Sequence, residues 1–270
     1  MGYINTHQLV TSLNYTIMKT YTFHLSNFPS LRTLLLLAVL FSVSSLSAQD
    51  VFLTSQSAVD GFTGTTAVNR DLVISGTDIV NLDGLSSLST VGRFLQIQDN
   101  PMLTNVDGLS SLSPIGVNLV IIDNPMLANV DGLSSLSTID FLDIRRNTSL
   151  INVDGLSSLG TVNSNLLIGD NPMLTNVDGL SSLSMVGGNL NILRNTSLSL
   201  CCGVFPLLDG GTIGSTITIR ENTADCNSAD QITAGGPCAV IPTMSQWALF
   251  ILGLSLTSLA VVRIRKVAFA

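Results

Sequence analysis

Five stretches decide the fold: LDGLSSLSTV at 82–91, VDGLSSLSPI at 106–115, VDGLSSLSTI at 130–139, VDGLSSLGTV at 153–162 and VDGLSSLSMV at 177–186. Their Asp-Gly pairs begin at Asp83, Asp107, Asp131, Asp154 and Asp178, so the period is 24, 24, 23 and 24 residues. A fixed period in this range marks a solenoid, in which each repeat is one coil that buries its apolar side only against its neighbours. The fold class is therefore mainly β, a parallel β-solenoid with one strand per 23–24-residue coil.

The strand itself comes from a second, less uniform stretch in each repeat. It reads FLQIQDNPMLTN (94–105), NLVIIDNPMLAN (118–129), FLDIRRNTSLIN (141–152), NLLIGDNPMLTN (165–176) and NLNILRNTSLSL (189–200), with TITIRENTADCN (216–227) at the end. Apolar residues alternate there: Leu95 and Ile97, Leu119 and Ile121, Leu142 and Ile144, Leu166 and Ile168, Leu190 and Ile192, Ile217 and Ile219. Alternation with one apolar face argues a strand. Leu72-Val73-Ile74 reads as the first rung. Leu103, Val106, Leu109, Leu112 and Ile115 supply the rest of one coil's buried side.

Two asparagine columns recur. The first is Asn100, Asn124, Asn147, Asn171 and Asn195, continued by Asn222; the second is Asn81, Asn105, Asn129, Asn152 and Asn176. Amides stacked one coil apart can bond each other and the turning backbone, so both columns read as structural ladders. The Asp column before Gly reads as a set of helix N-caps. Calcium is the minor alternative for those carboxylates, but no second carboxylate recurs beside each one. No cofactor is expected.

From Gln49 to Val240 the basic residues are six arginines (70, 93, 145, 146, 194, 220), against all 18 acidic residues of the chain. That negative excess repels nucleic acid. Both histidines, His7 and His24, precede this part, as do all three tyrosines. Without histidine, a phosphate loop or a nucleophile elbow, the pattern argues against an enzyme. Cys201, Cys202, Cys226 and Cys238 follow the last repeat and are disulfide candidates, with Cys201 and Cys202 each reaching Cys226 or Cys238.

The ends read as export signals. Lys19 and Arg32 precede the apolar run Leu34–Phe41, and Ser45-Leu46-Ser47-Ala48 follows it, the plan of a signal peptide cleaved after Ala48. Met18-Lys19 makes a better start for such a peptide than Met1. At the other end, Trp247–Val262 is apolar and stops at Arg263, Ile264, Arg265 and Lys266. Extended back to Ile241 it has the length of a transmembrane helix. The expected organisation is a leader to 48, an N-terminal cap at 49–65, the solenoid at 66–200, a cysteine-bearing cap at 201–238 and a tail at 241–270.

Ile241, Pro242, Thr243, Met244 and Ser245, then Trp247, an apolar helix and a basic end, resemble the IPTL-type C-terminal sorting tail of exported Gram-negative bacterial proteins. Met244 stands where that family has leucine. The resemblance implies membrane delivery through residues 247–262 and a sorting protease as a partner. The pattern Leu-x-Ile-x-x-Asn-x-x-Leu followed by Val-Asp-Gly-Leu-x-x-Leu is similar to leucine-rich repeats, with one extra residue between Asn and Leu. With that spacing and a cysteine-bearing cap it resembles the receptor L-domain family more closely. That resemblance implies a right-handed solenoid with a flat or gently curved sheet.

Function is expected on the outward strand positions, because they vary while DGLSSL barely does. One column is Gln96, Val120, Asp143, Leu167, Asn191 and Thr218; the next is Gln98, Ile122, Arg145, Gly169, Leu193 and Arg220. Val120, Ile122, Leu167 and Leu193 are apolar and would form a contact patch. Arg145, Arg146, Arg194 and Arg220 would stand beside it for a partner's acids. The expected role is exported cell-surface recognition or adhesion, with a protein or surface glycan as partner. A spacer without ligand is the alternative, and a carbohydrate-active enzyme a remote one. Such uniform coils also invite self-association.

Overall fold

The computed structural model describes residues 49–113 and 118–234. The leader, Ile115, Cys238 and the sorting tail lie outside the described residues. Eight parallel strands form one sheet in chain order: Val51–Leu53, Leu72–Ile74, Phe94–Gln98, Asn118–Ile122, Phe141–Arg145, Leu166–Gly169, Leu190–Leu193 and Ile217–Arg220. Each pairs with the next in strict register. Leu72, Leu95, Leu119, Leu142, Leu166, Leu190 and Ile217 align, as do Ile74, Ile97, Ile121, Ile144, Ile168, Ile192 and Ile219. The architecture is thus a repeating parallel coil, a β-solenoid.

A second stack of two-residue strands runs along another side of the coil. Thr138–Ile139, Thr161–Val162, Met185–Val186 and Thr212–Ile213 form one sheet, and Ala67–Val68 pairs with Thr90–Val91. A third stack is held by single backbone bonds: Thr104, Ala128, Ile151 and Thr175 each donate to the residue one coil earlier, at 2.9–3.3 Å.

Between these sides the Asp-Gly-Leu segments form short 3-10 turns, from Asp83–Leu85 to Asp178–Leu180. Glycine is required there by close approach. A Cβ on Gly108, Gly132, Gly155 or Gly179 would collide with the carbonyl oxygen of Leu82, Val106, Val130 or Val153 in the preceding coil. The Asp column does not cap these turns. The cap position is Leu82, Val106, Val130, Val153 or Val177, with no side-chain cap bond. Each Asp instead donates its backbone N–H to the Asn two residues earlier, at 3.1 Å in all five turns. The second asparagine column is therefore a set of local turn acceptors, and its expected coil-to-coil ladder is replaced by this bond.

The first asparagine column is the ladder. Asn124 Oδ1 accepts from both the backbone N–H and Nδ2 of Asn100, at 3.2 and 2.9 Å. Asn124 Nδ2 in turn donates to the Ile97 carbonyl at 3.0 Å. The backbone link repeats through Asn147, Asn171, Asn195 and Asn222, and Asn227 Oδ1 closes it by accepting from the Asn222 N–H at 3.2 Å. Asn100 to Asn195 are fully buried. One amide per coil satisfies strand-end groups that water cannot reach.

The core is aliphatic. Leu142, Ile144, Leu150, Val153, Leu156, Leu159 and Val162 are all buried in one coil. Each contributes about 1.5–3 kcal/mol, available only when a neighbouring coil covers it.

Both ends of the stack depart from the reading of the sequence. The first rung is Val51–Leu53, so Leu72–Ile74 is the second. Behind it, Val59-Asp60-Gly61-Phe62-Thr63-Gly64-Thr65-Thr66-Ala67-Val68 is a degenerate copy of the repeated stretch, 23 residues before Leu82–Val91. Its start is a helix, Gln56–Asp60, capped by the Ser55 hydroxyl, and the Val59 carbonyl lies under Gly84. At the other end Cys202–Val204 forms a sixth 3-10 turn, with Gly203 against the Val177 carbonyl. A disulfide joins Cys201 to Cys226 across a separation of 25 residues. Two short helices, Phe205–Gly210 and Ala229–Ala234, follow these turns, and Leu207 and Ile232 join the core. Among the described residues no helix is long and apolar enough to cross a membrane.

Candidate partner-binding face

The outward residues of the long sheet come together as two in-register columns. Gln96, Val120, Asp143, Leu167, Asn191 and Thr218 align, and so do Gln98, Ile122, Arg145, Gly169, Leu193 and Arg220. Val120, Ile122, Leu167, Asn191 and Arg145 are half-buried, and Arg220 is exposed.

Two of the expected contact residues are not presented to solvent. Asp143 is 4 % exposed, because the Arg145 guanidinium lies on it with two bonds of 2.7 Å. Leu193 is 8 % exposed. Its register neighbour Gly169 has no side chain, and a Cβ there would touch Leu193 Cδ1 at 3.5 Å, so Leu193 fills that space.

The arginines are also not free for a partner's acids. Arg146 holds Asp123 of the preceding coil through two 2.7 Å bonds. Arg194 holds Asp170 at 2.5 and 2.9 Å, and Arg220 meets Glu221 at 3.0 Å. Bidentate guanidinium–carboxylate pairs of this kind have fixed geometry. The Arg146 hydrogen bond holds the Asp123 carboxyl below its ordinary range against a smaller opposing effect of burial, and Arg194 does the same for Asp170.

These charges share a backbone feature that the sequence reading missed. Asp99, Asp123, Arg146, Asp170, Arg194 and Glu221 all have φ between 54° and 58°. This is the left-handed region, which costs a residue with a Cβ about 1–2 kcal/mol. The conformation turns the chain out of the strand and delivers the next residue, the ladder asparagine, inward. The available signal was the charged residue always found immediately before each ladder Asn.

Phe52 and Ile217, on the first and last strands of the long sheet, are exposed, and the other large apolar side chains that reach solvent lie elsewhere in the coil. Met102, Met126 and Met173 follow the ladder asparagines, and Ile151 and Leu200 lie on or beside the third stack. The sequence reading passed over them because it sought outward residues only on the strands. Among the described residues no group of three or more His, Cys, Asp or Glu side chains converges to hold a metal ion.

No family model, curated protein or solved structure matches the chain.

Proposed function

We propose that this chain is an exported, non-catalytic recognition or adhesion protein that meets a protein or surface glycan through the outward face of its long sheet. One observation carries the reading. The repeated aliphatic, glycine and asparagine residues have structural roles, with Leu and Val in the core, Gly at the close approach, one Asn column in the ladder and the other at the turns. The outward strand positions vary from coil to coil on that frame. Variation on an invariant frame is what a recognition surface requires. Val120, Ile122, Leu167 and Asn191 form the centre of that surface, with the Asp143–Arg145 pair as a rigid polar element inside it.

The leader and the IPTL-type tail support a location at the membrane or surface of a Gram-negative-type bacterium, with the tail as substrate of a sorting protease. Within this reading the coil is a right-handed receptor L-domain-like solenoid with a cysteine-bearing cap at 201–238. The competing reading, a spacer without ligand, draws support from the internal pairing of the arginines.

The test is the double variant Ile122→Asp and Leu167→Asp in the full chain. Cells producing it are assayed for attachment to protein-coated and glycan-coated surfaces, with circular dichroism as the folding control. Loss of attachment with the fold intact supports recognition through the sheet. Unchanged attachment moves the assignment to the spacer.

A further inference from the structure

Methionine ordinarily fills irregular gaps in cores. Here all four methionines among the described residues, Met102, Met126, Met173 and Met185, are exposed, and the core is built from Leu, Ile and Val. Two of them are neighbours. Asn100, two residues before Met102, bonds Asn124, two residues before Met126, at 2.9 Å. Thr104, two residues after Met102, accepts from the Ala128 N–H, two residues after Met126, at 3.0 Å. Coil-to-coil bonds thus bracket the pair, which sets Met102 and Met126 one coil apart, roughly 4.8 Å. Pro101 and Pro125 precede them and restrict the backbone at both turns. Their side chains are 49 % and 51 % exposed.

We infer that Met102 and Met126 form a two-thioether site for a soft monovalent metal ion of the Cu(I) or Ag(I) class. Thioether sulfur is a soft, neutral donor and selects such ions over hard divalent ones. With metal–sulfur bonds of about 2.3 Å, a linear two-coordinate ion holds its sulfurs roughly 4.6 Å apart, close to the coil rise. The molecule contains its own control. Met173 sits on the same kind of turn after Pro172 and is 55 % exposed, but the neighbouring coils place Ser149 and Ser197 beside it. It has the same chemistry without the second sulfur.

The full chain, labelled at the methionine methyl groups and assigned by single Met→Leu variants, is titrated with Ag(I) in chloride-free buffer. The Met102 and Met126 methyl resonances should shift together and saturate at one ion per pair, while Met173 and Met185 respond only to excess metal. Met126→Leu should abolish the Met102 response and leave the circular dichroism spectrum unchanged. Ser149→Met should join Met126 to Met173 and bring Met173 into the early response. The site is overturned if Met102 and Met173 respond alike, or if Met102 still binds in the Met126→Leu chain.

Discussion

Arg146 and Asn147 are adjacent in the chain and belong to two columns that run the length of the coil stack. The asparagine column is identical at every coil from Asn100 to Asn222 and buried from Asn100 to Asn195. The column beside it, Asp99 to Glu221, holds aspartate, arginine and glutamate. Both have one backbone geometry repeated at each coil, so geometry does not explain the contrast. The environment does. The asparagine must accept from the asparagine of the preceding coil and donate to a carbonyl of that same coil, and only a side chain carrying both functions does this in a space closed to water. The charged residue needs only to turn the backbone, and solvent or a neighbour satisfies whatever side chain it carries. Between these two columns, uniformity therefore records what burial demands, and variation records where it demands nothing.

The hardest way to break the uniform side is Gly155→Ala. The added methyl has no room against the Val130 carbonyl, so the two coils must separate. The expected loss exceeds about 4 kcal/mol and is read as a fall in the urea midpoint or as failure to accumulate folded protein. A similar substitution at Gly64, where nothing lies within contact of an added Cβ, meets no such steric barrier; its φ of 83° makes backbone strain the main cost there. A smaller effect sharpens the comparison on the outer face. Arg145→Ala leaves the buried Asp143 carboxylate without its two bonds and should cost about 1–3 kcal/mol. Replacing both residues with alanine removes the stranded charge, so the double variant should unfold at a higher urea concentration than Arg145→Ala alone.

The smallest effect concerns the exposed pairs. Asp123 has a folded pKa lowered by Arg146. Its contribution is complete above the ordinary carboxylate value, about 3.9, and is lost as pH falls through the lower folded value. Asp123→Asn should therefore flatten the acid limb of the stability curve by less than about 1 kcal/mol, and salt should reduce the difference further. Thermal melts from pH 2 to 7 at two salt concentrations measure it.

Much of the frame was legible in the sequence because the repeat exposes it. The period located the turns, and alternation located the strands and their inward residues. The ladder asparagines stood out by recurrence. The degenerate end coils were missed because the Asp-Gly-Leu-Ser-Ser-Leu pattern fades there. Val59-Asp60-Gly61 and Cys202-Gly203-Val204 nevertheless keep the register, and Gly203 follows Gly179 by 24 residues. The Asp column was expected to cap the turn and the second Asn column to run from coil to coil, and it is the Asn that accepts at the turn, because both residue types suit a cap. Only backbone geometry shows that Asn105 accepts the bond while Asp107 donates its N–H. The candidate face was legible as a set of positions but not as a surface. Whether Asp143 and Leu193 reach solvent depends on Arg145 and on the gap at Gly169, and alternation carries no information about either.

The most direct test of the burial account is urea unfolding of Asn147→Ala beside Arg146→Asn, two substitutions one residue apart in the full chain. Asn147→Ala strands the donors of Asn124 and the Ile121 carbonyl, and should cost about 3 kcal/mol or more. Arg146→Asn keeps a residue suited to positive φ, loses only an exposed ion pair, and should change stability by less than about 1 kcal/mol. Equal losses from the two variants would contradict the claim that burial, and not the repeated backbone shape, holds the asparagine column uniform.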